Sequence, residues 1–260
     1  MIDREINRDR AVIFGTDAER YDRARPSYPA ELVDDLVSLG GNRVLDVGCG
    51  TGKAGRLLAE RGLDVLGVEP DERMAEVARR HGLIVETCRF EEWDPTGRAF
   101  DLVVSGQAWH WVDQRVGPAK AADVLAPGGS FAAFWNRPRY DPEIRVRLDE
   151  VYLREAPKLP GDLATVGSGS DDRTPRFVEP IEATGRFTSV EVHVYPWEDT
   201  YSRDHYLDRL RTHSDHMLLA AEQRDRLLEA VGDVIAAVGG YLTVGYTTTL
   251  IHAVAARREQ

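Results

Sequence analysis

The nine residues from Val44 to Gly52, VLDVGCGTG, constrain this chain more than any other stretch. An apolar run that stops at a glycine reads as a buried parallel strand ending at Val47. Gly48, Gly50 and Gly52 permit a turn in which bare backbone can lie against a ligand. The helix expected from Lys53 to Arg61 aims its unpaired N–H groups and positive dipole end at the same spot. A second apolar run, Asp64 to Val68, ends at Glu69, twenty-one residues after Gly48. A carboxylate there can accept two hydrogen bonds from a ribose diol. Asp46, Glu69 and the glycine turn together describe an adenosine site, which an ordinary strand-to-helix turn would not need.

A nicotinamide site is the alternative, because Gly50-Thr51-Gly52-Lys53-Ala54-Gly55 satisfies G-x-G-x-x-G. In that register the first glycine comes three residues after the strand ends, and nothing downstream supplies a hydride-transfer site.

The rhythm around the motif is α/β. Asp71 to His81 reads as a helix, with Asp71 placed to cap it and Glu72 in its first turn. Leu83 to Cys88 and Phe100 to Gly106 read as strands, Gln114 to Leu125 as a helix, and Ser130 to Trp135 as a fifth strand after the Pro127-Gly128-Gly129 turn. Strands alternating with helices at this spacing imply a doubly wound parallel sheet. After Trp135 the pattern changes. Asp141 to Glu155 reads as a helix, Lys158 to Pro180 as a long loop, and SVEVHVYPWE as a strand. Helices follow at His205 to Leu219 and Glu222 to Val238, and YLTVGYTTTLIHAVAA reads as a long β-branched strand.

A net charge of −11 disfavours nucleic acid as the main partner, since phosphate binding needs a basic face. Cys49 and Cys88 suggest no disulfide framework. No apolar stretch is long enough to cross a bilayer, and MIDREINRDR lacks the apolar core of a signal peptide. The expectation is a cytoplasmic enzyme with no membrane partner and an oligomeric state left open.

Further motifs occur in order: VEPDERM at 68–74, EEW at 91–93, FDLVVSGQAWHWVD at 100–113 and LAPGG at 125–129. With D-x-G-C-G-T-G this set resembles the class I S-adenosylmethionine-dependent methyltransferases. AWHWVD and the leading YDRARPSYP most resemble the methyltransferase type 11 branch, which includes trans-aconitate-type and related small-molecule methyltransferases. The resemblance covers roughly residues 14–136. It implies S-adenosylmethionine as cofactor, S-adenosylhomocysteine as product and a small-molecule acceptor, with a non-catalytic S-adenosylmethionine-binding protein as a second alternative beside the nicotinamide enzyme. It also implies an α/β, doubly wound, Rossmann-like sheet of seven strands, the last antiparallel, with a helical cap on the substrate side. The expected regions are a lid helix in 1–30, a cofactor-binding core in 31–136, a cap with one sheet strand in 137–240, and a closing strand in 241–260.

The resemblance also distributes roles. Asp46, Gly48, Cys49, Gly50 and Gly52 would form the loop against the methionine part of the cofactor, with Glu69 on the ribose. Pro70 and Met74 would pack on the adenine, and Phe90 and Glu91 would flank its edge. Many relatives carry an acid near position 89, where this chain has Arg89. Tyr21 and Arg25, one helical turn apart, would lie over the pocket, with Arg25 on the methionine carboxylate. Gln107 and Trp109 would border the sulfonium. His110 is the one obvious candidate base. Trp111, Trp135, Arg137 and Arg209 are candidate substrate contacts, with Trp197, Tyr201, His205 and His213 nearby. Arg209 and His213 are spaced to share a helix face and receive an anionic group. His213-x-x-His216 lacks a third ligand fixed by spacing, so no metal is expected.

Overall fold

The computed structural model describes residues 14–159 and 174–256. Seven strands form one sheet in the order β3-β2-β1-β4-β5-β7-β6. β1 (Arg43–Val47), β2 (Asp64–Val68), β3 (Ile84–Glu86), β4 (Phe100–Gly106) and β5 (Leu125–Arg139) run parallel. β7 (Tyr241–Ala255) lies between β5 and β6 (Phe187–Ser202), antiparallel to both. This is the expected doubly wound architecture with an antiparallel last strand.

α2 (Ala30–Ser38), α3 (Lys53–Ala59) and α4 (Glu72–Arg80) cover one face, where Leu32, Leu36, Leu58 and Ala75 meet Val44, Leu102 and Phe134. α5 (Gly117–Val124) and α7 (Thr174–Ala183) cover the other, where Phe177, Ile181 and Val124 meet Leu45, Val103 and Phe131. Strands buried on both faces read as continuous apolar runs, which is why β1, β2 and β4 were legible.

β5, β6 and β7 are about three times as long as β1 or β2, at 15, 16 and 15 residues. Their far ends carry a third core. There Tyr201, Leu242, Val244 and Tyr246 pack against α6 (Pro142–Glu155), α8 (Arg203–Arg211) and α10 (Ala221–Ala237) through Leu148, Tyr152, Tyr206, Leu227 and Val231. The second half is therefore built on strand ends as much as on helices, and the boundary drawn at residue 136 falls inside β5.

Two expectations are corrected. The loop foreseen from Lys158 to Pro180 contains a helix over Thr174–Ala183, although Pro180 lies inside it. Burial outweighs that proline. Phe177 and Ile181, one turn apart, both enter the core. Residues 160–173 of that loop lie outside the described residues. The single helix expected from His205 to Leu219 is broken, because His213 is extended (φ −80°, ψ 127°) and the short α9 (Ser214–Met217) starts after it. Among the described residues no helix is long and apolar enough to cross a membrane.

Candidate functional site

β1 and β4 are neighbours whose following chains leave in opposite directions, and such a switch point opens a crevice at the carboxyl edge of a sheet. Here the crevice is a cavity of about 760 Å³, walled by the glycine turn on one side and by α8 and α9 on the other. Gly48, Gly50 and Gly52 all have positive φ, at 68°, 57° and 83°. The N–H groups of Gly48 and Cys49 both donate to the Val68 carbonyl, at 2.8 and 3.2 Å, which stitches the turn to β2. A Cβ on Gly48 would stand 2.5 Å from the Ala108 Cβ. Gly52 is the left-handed N-cap of α3 and does not line the cavity. A Cβ on it would meet Leu83 at 2.6 Å, so its role is close helix packing rather than ligand contact.

Glu69 is buried, and its two oxygens accept the Gly50 and Asp71 backbone N–H groups, each at 2.9 Å. Asp71 in turn caps α4 by accepting the Arg73 N–H at 2.9 Å. Each Glu69 oxygen keeps a further lone pair, as a ribose diol requires. Burial raises the Glu69 carboxyl to about 7 in spite of these bonds. Asp46, also in the cavity wall, is buried, has no side-chain hydrogen-bond partner and faces the Gly55 backbone N–H. Burial, and then the charge of Glu69, raise it to about 7 as well. Burial likewise pushes the Cys49 thiol well up, so it is a small packed side chain and not a nucleophile. Pro70, Met74 and Phe90 supply an apolar wall beside these acids. Two buried carboxylates with unused acceptor capacity, a bare backbone turn and an apolar slot suit a ligand that carries hydroxyl donors, positive charge and a flat ring.

The comparisons with known proteins agree. Residues 44–129 match the family model described as a methyltransferase domain. An uncharacterised methyltransferase of Mycobacterium tuberculosis is 31% identical over 256 residues, covering 95% of this chain and 97% of that one. The chain belongs to the class I S-adenosylmethionine-dependent methyltransferases. Trans-aconitate 2-methyltransferase of Rhodococcus jostii is 30% identical over 186 residues, covering 69% of this methyltransferase and 68% of its own length. A solved structure from Anaeromyxobacter dehalogenans, assigned as a type II methyltransferase, superposes with a TM-score of 0.66 at 25% identity, over 90% of this chain and 99% of that one.

Most residues singled out in the methyltransferase's sequence meet in the one cavity. Tyr21, Arg25, Gln107, Glu91, His110, Trp111 and Arg209 line it along with the loop and the acids just described. Glu91 is committed, because its carboxylate accepts the Asp113 N–H at 2.8 Å. Arg89, the departure from the family pattern, also lines the cavity.

Trp109, Trp135 and Arg137 lie outside the wall, and each for a geometric reason. Trp109 is wholly buried and packs edge-on against Phe131, with centroids 4.6 Å apart. It sits in a short 3-10 turn, Trp109–Trp111, that sends the first side chain into the core and the next two to the cavity. Along β5, successive side chains alternate faces. Asn136 and Pro138 face the cavity, and Trp135 and Arg137 do not. Asn136 was missed for this reason of parity. It binds the Ser27 carbonyl at 2.8 Å and accepts the Thr248 hydroxyl at 2.7 Å. Tyr28, inside the YDRARPSYP motif but given no role there, also lines the cavity, as do Tyr140 and Tyr246, which carry no motif signal. Trp197 donates to Thr248 at 2.8 Å and stacks on Tyr246, Tyr201 is buried beside Tyr246, and the His205 ring reaches the Arg23 carbonyl at 3.3 Å.

Trp135 nevertheless bears on the site. It stacks on Phe177 at 4.8 Å, and its indole N–H donates to His110 Nδ1 at 3.2 Å. That bond uses the lone pair of the neutral ring and places the ring hydrogen on Nε2. Nitrogen-15 NMR of the His110 ring should therefore show the Nε2–H tautomer in the wild type. In a Trp135→Phe variant the preference should weaken. An Nδ1–H form in the wild type would contradict this arrangement.

α1 (Ala18–Ala24) spans the two halves. On one side Asp22 holds Arg56 at 2.7 Å and His81 at 3.0 Å, and Glu19 pairs with Arg80. On the other, Arg20 faces Asp208 at 3.5 Å. Arg25, stacked over Tyr21, gives two bonds of 2.8 Å to the Thr212 hydroxyl and carbonyl. His216 does not form a chelate with His213, since its Nε2 is bonded to the Tyr152 hydroxyl at 2.7 Å.

Proposed function

We propose that this methyltransferase acts on a small-molecule acceptor held between the glycine turn and the α8–α9 wall, by in-line displacement. The observation that carries the reading is that Glu69 and the glycine turn line the same cavity as Arg209, His213 and Tyr246. A relative that is by name a trans-aconitate methyltransferase supports an acceptor of that size class.

S-adenosylmethionine, when bound, supplies a methyl group on a sulfonium that is already a good leaving group. Glu69 would hold the ribose, with the Gly48–Gly50 backbone and Asp46 around the methionine part, and Pro70, Met74 and Phe90 against the adenine. The remaining work of the chain is positional: keeping the acceptor atom and the methyl carbon about 3 Å apart on one axis. His110, with its Nδ1 lone pair given to Trp135, suits orientation better than proton removal. α1, with Tyr21 and Arg25, acts as a lid whose closure excludes water.

Calorimetric titration with S-adenosylhomocysteine across pH 6–8 tests the cofactor end. Saturable binding is expected, with NADH silent; the reverse pattern would sink the reading. The pH trend follows from Glu69. Its folded pKa, about 7, lies above the unfolded value near 4.3, so its contribution to stability is full below about pH 4 and is lost as pH rises through 7. A ribose diol donates hydrogen bonds and so favours the ionised carboxylate. Affinity should rise from pH 6 to 8, and binding at pH 6 should release a proton. A flat profile would remove Glu69 from ribose binding.

A further inference from the structure

The geometry points to an anion-binding subsite at Arg209, so that the acceptor carries a carboxylate or phosphate which this guanidinium receives. The subsite itself stands on the structure; its assignment to the acceptor rests on the methyl-transfer reading above.

Arg209 lies on α8 and is 4% exposed, yet it lines the cavity. Tyr201, Tyr206 and Tyr246 surround its guanidinium, with ring centroids 5.5, 5.5 and 5.4 Å from the central carbon. These rings lend negative faces to the cation but offer its N–H groups no acceptor. The hydroxyls are paired among themselves, Tyr201 with Tyr246 and Tyr140 with Tyr206, each pair at 2.8 Å. Nε and Nη1 of Arg209 are buried without a hydrogen-bond partner.

Other arginines of this chain do not behave so. Arg56, Arg79 and Arg98 each hold a carboxylate at 2.6–2.7 Å. Arg25, another cation of the same cavity, is bonded twice to Thr212. A guanidinium stays charged at any working pH, and a buried charge is expensive unless paired. Aromatic faces relieve part of that cost. What is left is a fixed, forked donor whose buried Nε and Nη1 have nothing to donate to, a shape that fits a planar carboxylate or a phosphate. Asp46 and Glu69, the acids beside the glycine turn, serve the opposite polarity; Glu91, Asp113 and Asp215 also line the cavity.

The test compares wild type with Arg209→Met, each saturated with S-adenosylhomocysteine, and titrates succinate, inorganic phosphate and neutral succinamide at constant ionic strength. Calorimetry and melting temperature are both read. Wild type should bind succinate or phosphate saturably and succinamide not at all, and whichever anion binds identifies the source. Arg209→Met should bind that anion at least tenfold more weakly and keep its affinity for S-adenosylhomocysteine within threefold. Its ligand-free melting temperature should be unchanged or higher, since a buried unpaired charge has been replaced by an apolar side chain of similar length. A purely structural arginine predicts the opposite, a clear fall in melting temperature with no anion response in the wild type. Arg209→Lys keeps the charge and loses the fork, so intermediate anion affinity is expected, and it serves as the variant to read should Arg209→Met not fold.

Three results overturn the proposal: no saturable anion binding in wild type, equal binding in Arg209→Met, or a tenfold loss of S-adenosylhomocysteine affinity in that variant. The last would assign the cation to the methionine carboxylate. Failure of wild type to bind S-adenosylhomocysteine would instead defeat the cofactor reading, while anion titration of the ligand-free protein still reports on Arg209.

Discussion

Glu69→Ala should lower the affinity for S-adenosylhomocysteine by about 10²–10³-fold. The side chain receives two backbone N–H groups, from Gly50 and Asp71, and so shapes both the glycine turn and the start of α4. Losing charge-assisted bonds of about 1.5–3 kcal/mol each, with the ribose contacts they support, amounts to roughly 3–4 kcal/mol. Glu69→Gln should not rescue binding. Both backbone groups are donors, so the amide NH2 would have to face one of them. Calorimetric titration of the two variants checks this, and an affinity within threefold of wild type in either would show that the carboxylate holds no ribose.

Gly48→Ala should destabilise the ligand-free protein by about 2–5 kcal/mol, from left-handed backbone strain and a steric clash together. The residue has φ of 68°, and the added carbon would lie 2.5 Å from the Ala108 Cβ, an atom that cannot move without its backbone. For a chain of this size the melting temperature should fall by roughly 5–15 °C. The partner change separates the two causes. Ala108→Gly in the Gly48→Ala background should restore the part due to the clash and leave the strain, a coupling that a double-mutant cycle measures. If the double variant melts no higher than Gly48→Ala, the contact with Ala108 is not what excludes a side chain there.

The two residues also mark how far the sequence could be read. Gly48 and Glu69 lie in short-range patterns, a strand, a turn and a helix, where each step follows from neighbours a few positions away. The same holds for Asp71 as the cap of α4 and for the apolar runs of β1, β2 and β4. That is why the glycine-turn end of the cavity was legible, while the seven-stranded count came with the family resemblance. The second half was harder. Gly, Pro and Ser suggested a loop where Phe177 and Ile181 hold a helix, because distant core contacts outweigh local propensity.

The amino-acid sequence by itself determined the α/β order of the elements, the glycine turn, and the acid that waits at the end of β2. These depend on periodicity and on backbone conformations that only certain residues adopt. Only the tertiary structure decided which side chains meet in the cavity. It turned His110 and Trp111 inward and Trp109 into the core, chose Asn136 over Trp135 by strand parity, and gave the His110 lone pair to Trp135. It also brought Tyr140 and Tyr246 from distant parts of the chain to join Tyr201 and Tyr206 around Arg209. The Tyr206–Arg209 pair lies within one helical turn, but Tyr140 and Tyr246 reach it only through the packing of β7 and the end of β5 against α8.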